Sequence, residues 1–226
     1  MTNLTIFRIP DLVMLLAVFG GTGKAGQVLV KTALEKGHTV RVLARNPNKF
    51  TYTHPNLKIL SGDATNYEAV NATVISSEAV VSLLGHTPNS PANIQELFGK
   101  HVLKSMAEQN IKRLLILTGS GVFLPGDNTN WLDRAITFML KLVDPDRFQD
   151  ASKHIQQILN SDTDWTIVRT PIQTSWSRNQ KLIVGPVGTP NMGFTVSRQK
   201  IANFMLQTLE QGQYIHQYPA IAEALI

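Results

Sequence analysis

The stretch Leu15–Gly26, LLAVFGGTGKAG, decides the fold. Leu15–Phe19 is an uninterrupted apolar run, the pattern of a strand covered on both faces, and it leads directly into closely spaced glycines. Gly21-Thr22-Gly23-Lys24-Ala25-Gly26 is a literal G-x-G-x-x-G, and Gly20, Gly23 and Gly26 also satisfy the looser G-x-x-G-x-x-G. Such a turn needs glycine for a tight bend, for close backbone approach to a pyrophosphate, and for packing of helix on strand. The helix predicted next, over about residues 25–36, would aim its free N–H groups at the phosphates. Alone the motif is weak, because a glycine turn can serve packing only. Its context strengthens it: a strand precedes, a helix follows, and a second strand, Thr39–Ala44, comes at the spacing of a βαβ unit. A Walker-type phosphate loop does not fit, since Lys24 is followed by Ala25 and position 18 is valine.

Working outward, the 226 residues are 43% hydrophobic, enough for one core flanked by helices. The absence of cysteine excludes disulfides, thiol nucleophiles and Cys-ligated metals, and suits the cytoplasm. The six histidines form no H-x-H or H-x-x-x-H pair, so no metal site is expected. Leu12–Phe19 is too short to span a bilayer, and it serves better as the first strand than as a signal h-region behind Arg8. Residues 1–13 read as an upstream extension with Met14 opening the folded unit, or as part of that unit; the sequence leaves both open.

Charge is unevenly divided. The chain carries 21 basic and 16 acidic residues, and residues 1–60 hold eight of the former and only two of the latter. The positive excess therefore lies in the half that would bind an anionic dinucleotide, as electrostatic steering favours. Nucleic acid is the rival partner, but there is no Lys/Arg run, zinc-finger spacing or aromatic single-strand platform.

Further strands are expected at Leu57–Ser61, Ala79–Leu84, Lys112–Leu117 and Trp165–Arg169, with helices near 66–73, 92–109 and 148–160. This alternation predicts one α/β domain over 1–226, a Rossmann-like doubly wound parallel sheet. Two stretches break the rhythm. Residues 122–147 contain the amphipathic run Trp131–Val143 between Pro125 and Pro145, and read either as a lid over substrate or as a surface helix completing the core. Beyond Lys181, a short strand at Leu182–Val184 precedes a helix capped by Ser197, and Tyr218–Ile221 returns as an edge strand.

Taken together, Gly20–Gly26, Gly37–Arg45, Gly62-Asp63-Ala64, Ser82–Gly85, Thr118–Gly121, Asp164–Pro171 and Val196-Ser197-Arg198 resemble the atypical short-chain dehydrogenases/reductases of the NAD(P)H-binding, NmrA-like group. Within that group the chain is most similar to the biliverdin reductase B, or flavin reductase, branch. The resemblance implies NADP(H) as cofactor, with Gly20, Gly21, Thr22, Gly23, Lys24, Ala25, Leu84, Gly85 and Thr118 along it. It also places Asp63 and Ala64 beside the adenine; otherwise Asp63 is an N-cap for the helix near Tyr67. Arg45 ends the second strand, where a carboxylate would accept from the 2′-hydroxyl of NAD; arginine instead offers a planar fork to a 2′-phosphate, with Lys49 nearby. Its bland reading is a solvated arginine. His86 reads as a loop residue at the site's margin, because nothing in the sequence supplies it with a fixed partner.

One absence matters as much. Ordinary short-chain dehydrogenases use Tyr-x-x-x-Lys, but Tyr52, Tyr67, Tyr214 and Tyr218 are followed four residues on by Asn56, Asn71, Tyr218 and Ala222. Flavins, quinones and bilins delocalise an incoming hydride and need no strong local acid, so proximity and orientation suffice. Ser120 is the one hydroxyl nominated as catalytic, as a hydrogen-bond partner of substrate, with turn-capping the alternative. Two functions follow: NADPH-dependent reduction of a flat acceptor, or a non-catalytic NADP(H) sensor whose lid region meets a protein partner. The fold serves both, and the oligomeric state is not legible.

Overall fold

A computed structural model of the chain describes residues 12–129 and 131–225. The expected upstream extension lies almost wholly outside these residues. Met14 is buried, and its N–H donates to His38 Nδ1 at 3.2 Å.

Five strands and three helices open the chain: β1 (Leu15–Phe19), α1 (Lys24–Glu35), β2 (Thr39–Ala44), β3 (Leu57–Ser61), α2 (Tyr67–Val74), β4 (Ala79–Ser82), α3 (Ile94–Glu108) and β5 (Arg113–Gly119). After α4 (Trp131–Val143) and α5 (Pro145–Leu159) come β6 (Asp164–Thr170), β7 (Ile172–Thr174), β8 (Leu182–Gly185), β9 (Thr195–Ser197), α6 (Arg198–Glu210) and β10 (Ala220–Glu223). The main sheet has eight strands in the order β3-β2-β1-β4-β5-β6-β10-β8. β1 pairs in parallel with β2 (Leu16↔Val40) and with β4 (Leu16↔Ala79), so crossovers leave it in opposite directions and open a crevice at its carboxyl end. The doubly wound sheet is thus as expected, but β8 forms the edge, antiparallel to β10 (Ala220↔Gly185), so the strand expected at the edge from Tyr218–Ile221 lies instead between β6 and β8, buried on both sides.

The uninterrupted apolar strands are explained by cover on both faces. Leu16 and Val18 pack with Leu29, Val30 and Ala33 of α1 and Met205 of α6, whereas Ala17 and Phe19 face Phe98 and Val102 of α3 and Ile155 of α5. Phe19 and Phe98 meet with ring centroids 4.7 Å apart. Burying each such side chain contributes about 1.5–3 kcal/mol.

Helix α3 approaches α5 closely at Gly99, where a Cβ would meet His154 Nδ1 and Gln157 Oε1. Burial pushes His154 down to about 4, against a weaker opposing effect of Gln157. The last parallel junction, β6 to β10, has few ladder contacts and is reinforced by an ion pair. Fully buried Arg169 holds Asp127 bidentately (Nη1–Oδ2 2.5 Å, Nη2–Oδ1 2.7 Å) and donates from Nε to Tyr218 O. Burial opposes ionisation of Asp127, yet Arg169 and the N–H groups of Leu124 and Val187 carry its carboxyl below the ordinary value.

Helix α4 forms over the residues expected. Trp131 is 79% exposed, and Phe138, Met139, Leu142 and Val143 also face solvent. Thr137 is buried and reaches Gly121 O, which fixes the helix beside the loop after β5. The two-stranded parallel sheet β7-β9 was not expected. Among the described residues no helix is long and apolar enough to cross a membrane.

Candidate functional site

The glycine turn divides its labour among positions. Gly20 has φ +75°, and a Cβ there would lie 2.5 Å from the carbonyl of Leu83, so the turn is pressed against the exit of β4. A Cβ on Gly26 would strike the carbonyl oxygen of Gly20 and come within 2.7 Å of Gly21 Cα, which is how α1 lies tight on the turn. Gly21 is buried beneath Val42 and lines neither groove. Gly23 differs: its only close neighbour would be Gly20 O at 3.3 Å, and its free side opens into the crevice.

Gly23 is also the N-cap of α1, and no side chain accepts from that helix's first turn. In α2, α3, α5 and α6 a side chain meets such donors: Asn66 caps α2, Asp144 caps α5, Ser197 caps α6, and Asp150 reaches across to the N–H groups of Gln95 and Glu96 in α3. The first-turn donors of α1 are therefore left for a ligand.

On one side of the turn lies a groove of about 630 Å³. Gly20, Thr22, Gly23, Arg45, Asp63, Ala64, Leu84 and Gly85 all line it, so the structure brings together most of the expected positions, with Lys49 beside them on a single 3-10 turn, Pro47–Lys49. The facing wall is the strap from His86 to Ser90. Arg45 donates to Thr87 Oγ1 (2.6 Å) and Asn89 O (3.4 Å), and its Nε lies 3.9 Å from Asp63 Oδ2. Asp63 is not the cap of α2; Asn66 takes that role, and Asp63 Oδ1 accepts from Thr65 N instead. His86 has the fixed partner that the sequence did not supply: its Nε2 is 3.1 Å from Asp150 Oδ2 and 3.0 Å from Ala92 O.

A second groove of about 420 Å³ shares Gly20, Gly23 and Leu83–Gly85 with the first, then continues past Lys24 and Ala25 to Thr118, Gly119, Gln173 and Arg198. Cβ positions on Gly85 and Gly119 would face open space. Ser120 lies one residue beyond this wall, with its N–H committed to Thr170 O, and is not among the lining residues. Among the described residues, no Tyr, His, Asp or Glu lines this half. Sequence reasoning missed Gln95, which donates to Leu84 O at 3.0 Å, and Gln173 on β7. Arg198 had been noted in a matching motif but without a place in the site. Two compartments joined at an uncapped helix start and a glycine-rich turn fit an extended dinucleotide with room for a second molecule.

The comparisons agree. The sequence matches the NAD(P)H-binding family over residues 20–212. A 3 beta-hydroxysteroid dehydrogenase/Delta 5-->4-isomerase of Mycobacterium tuberculosis is 28% identical over 145 residues, 59% of this chain and 37% of that protein. The chain thus spans little more than a third of the length of such curated relatives. Among solved structures, a short-chain dehydrogenase/reductase of Veillonella parvula in complex with NADP superposes with a TM-score of 0.75 at 16% identity, over 92% of this chain and 94% of the other. An anaerobilin reductase of Escherichia coli O157:H7 gives the same TM-score and identity, over 92% and 97%. These likenesses show the fold, and the family match shows that the chain belongs to the NAD(P)H-binding, Rossmann-like family.

Proposed function

We propose that this chain is an NADPH-dependent reductase of a flat conjugated acceptor, a flavin, bilin or quinone, as in the biliverdin reductase B branch. The observation that carries the reading is the second groove, at the carboxyl edge of the sheet, where Lys24 and Arg198 are the only titratable lining residues among those described. A carbonyl reductase needs a positioned acid for the developing alkoxide; among the described residues this wall carries no Tyr, His, Asp or Glu to serve as one.

In this reading the glycine turn and the start of α1 hold the pyrophosphate, Asp63 and Ala64 flank the adenine, and Arg45 with Lys49 takes the 2′-phosphate. Leu84, Gly85 and Thr118 line the passage to the acceptor side. When bound, NADPH supplies the hydride and water supplies the proton. The residues of the second groove set distance and stacking, and the 122–147 segment covers the acceptor from outside. Ser120, just beyond the wall, contributes a hydrogen bond at most. The groove then works by proximity and orientation. The likeness to an anaerobilin reductase supports this acceptor class.

The test is NADPH oxidation followed with FMN, riboflavin, biliverdin and a quinone, alongside NADP-linked oxidation of secondary alcohols. Turnover with flat acceptors and none with alcohols is expected. Robust alcohol oxidation would overturn the reading, and tight NADPH binding with no turnover of any acceptor would replace it with the sensor. Arg45→Ala should lower the preference for NADPH over NADH about tenfold to a hundredfold, the range of one charge-assisted fork.

A further inference from the structure

Arg198 is a cation placed in a groove wall with no anion to meet it. It is the first residue of α6, directly after β9, and the register Gln173↔Val196 between β7 and β9 sets it beside Gln173. Its Nη2 donates to Gln173 O at 3.1 Å, while its Nε is buried and has no hydrogen-bond partner. Among the described residues it forms no ion pair, and no carboxylate lines the groove it borders.

The other buried arginines behave differently. Arg169 is saturated by Asp127 and by Tyr218 O. Arg113 also has an unpartnered Nε, but its fork serves Asp164 O, Thr166 Oγ1 and Gln213 O, and it borders neither groove. A buried donor on a charged group is costly to leave unmade, and a guanidinium's strongest partner is a carboxylate or phosphate.

We infer that Arg198 is the anion-binding residue of the acceptor subsite, so that the acceptor carries a carboxylate or phosphate outside its conjugated ring system. The inference rests on the reading above, that the second groove takes the acceptor. It narrows the acceptor class: flavin mononucleotide and propionate-bearing bilins qualify, whereas riboflavin and simple quinones lack the group. Ser197 fixes the geometry, its hydroxyl accepting from Lys200 N and locking the start of α6. The cofactor's own pyrophosphate has the same chemistry, and the experiment separates the two sources.

Flavin fluorescence quenching on NADP+-loaded protein gives the affinities of FMN and riboflavin, which differ by one phosphate, independently of turnover. The wild type should bind FMN about tenfold to a hundredfold more tightly than riboflavin. Arg198→Gln should bring that ratio close to one while NADP+ affinity is retained. Arg198→Lys, which keeps the charge but loses the fork, should give an intermediate ratio and carries the test should the glutamine variant not fold. Failure of the wild type to bind FMN, a ratio near one in it, or a ratio preserved in the variants would each overturn the inference. So would a fall in NADP+ affinity matching the fall for FMN, which would assign Arg198 to the pyrophosphate. An FMN preference that depends on Arg198 in a protein that oxidises no NADPH would sustain the anion site and refute the reductase. Turnover of both flavins with equal affinity would do the reverse.

Discussion

Replacing Gly23 by valine separates what the glycine turn does for the fold from what it does for the ligand. Gly23 has φ −74° and ψ 166°, open to any residue, and its added Cβ would touch only Gly20 O at 3.3 Å. The free protein should therefore lose no more than about 1 kcal/mol, the scale of a changed N-cap. The new isopropyl group would stand in the crevice, between the first-turn N–H groups of α1 and the phosphates. Losing two charge-assisted hydrogen bonds at about 1.5–3 kcal/mol each removes at least about 3 kcal/mol, or a hundredfold or more in affinity. Gly26→Ala is the counterpart, since its Cβ runs into the backbone of Gly20 and Gly21; overpacking of that kind costs about 1–3 kcal/mol of stability. The assay pairs calorimetric titration of NADPH with thermal unfolding, with and without ligand. Wild type should gain Tm from NADPH, and the folded Gly23→Val protein should not. Wild-type NADPH affinity in a folded Gly23→Val protein would refute the placement of the pyrophosphate at this turn.

Two further predictions concern stability. Asp127→Ala leaves the fully buried Arg169 without its counter-ion and should cost about 3–5 kcal/mol in denaturant unfolding, more than replacing both partners with apolar residues of similar volume. His154 titrates at about 4 in the folded chain against 6.5 as its ordinary value, so the unfolded state binds the extra proton first. Its contribution is whole above about pH 6.5 and lost as the pH falls towards 4, a change of about 3 kcal/mol that unfolding curves across this window should show and His154→Gln should flatten.

The strands that build the crevice were legible from their apolar runs: β1, β2 and β3 occupy the residues those runs indicate, as does α4, with β1 buried along nearly its whole length and β3 half-exposed at the sheet edge. The first groove was legible for a related reason. Its contacts come from a turn and from strand ends, whose positions follow from the strands themselves. Pairings between distant elements were not readable. Asp150 reaches α3 and His86 from α5, and neither partner carries a local signal for the other. β7 and β9 are three residues each, too short for a period to declare itself, and with them the placement of Gln173 and Arg198 was lost. For Asp63 and Asn66, both capable caps, local chemistry could not choose; the structure gives the cap to Asn66, which accepts from Ala69 N. Helix α4 shows the limit of amphipathic patterning, which marks an apolar face without saying what that face meets.

Arg45 is already engaged through Thr87 and Asn89 before any phosphate arrives. On the proposal that Arg45 takes the 2′-phosphate, that group would exchange partners on the guanidinium rather than add to a free one, and the net gain would be a difference between two sets of hydrogen bonds. Cofactor selectivity would then be a trait written at two loci, the end of β2 and the strap after β4. Substitution of Thr87 can shift the NADPH-to-NADH ratio with the arginine untouched, giving a lineage a gradual route between cofactors where a single-locus arginine would offer only a jump.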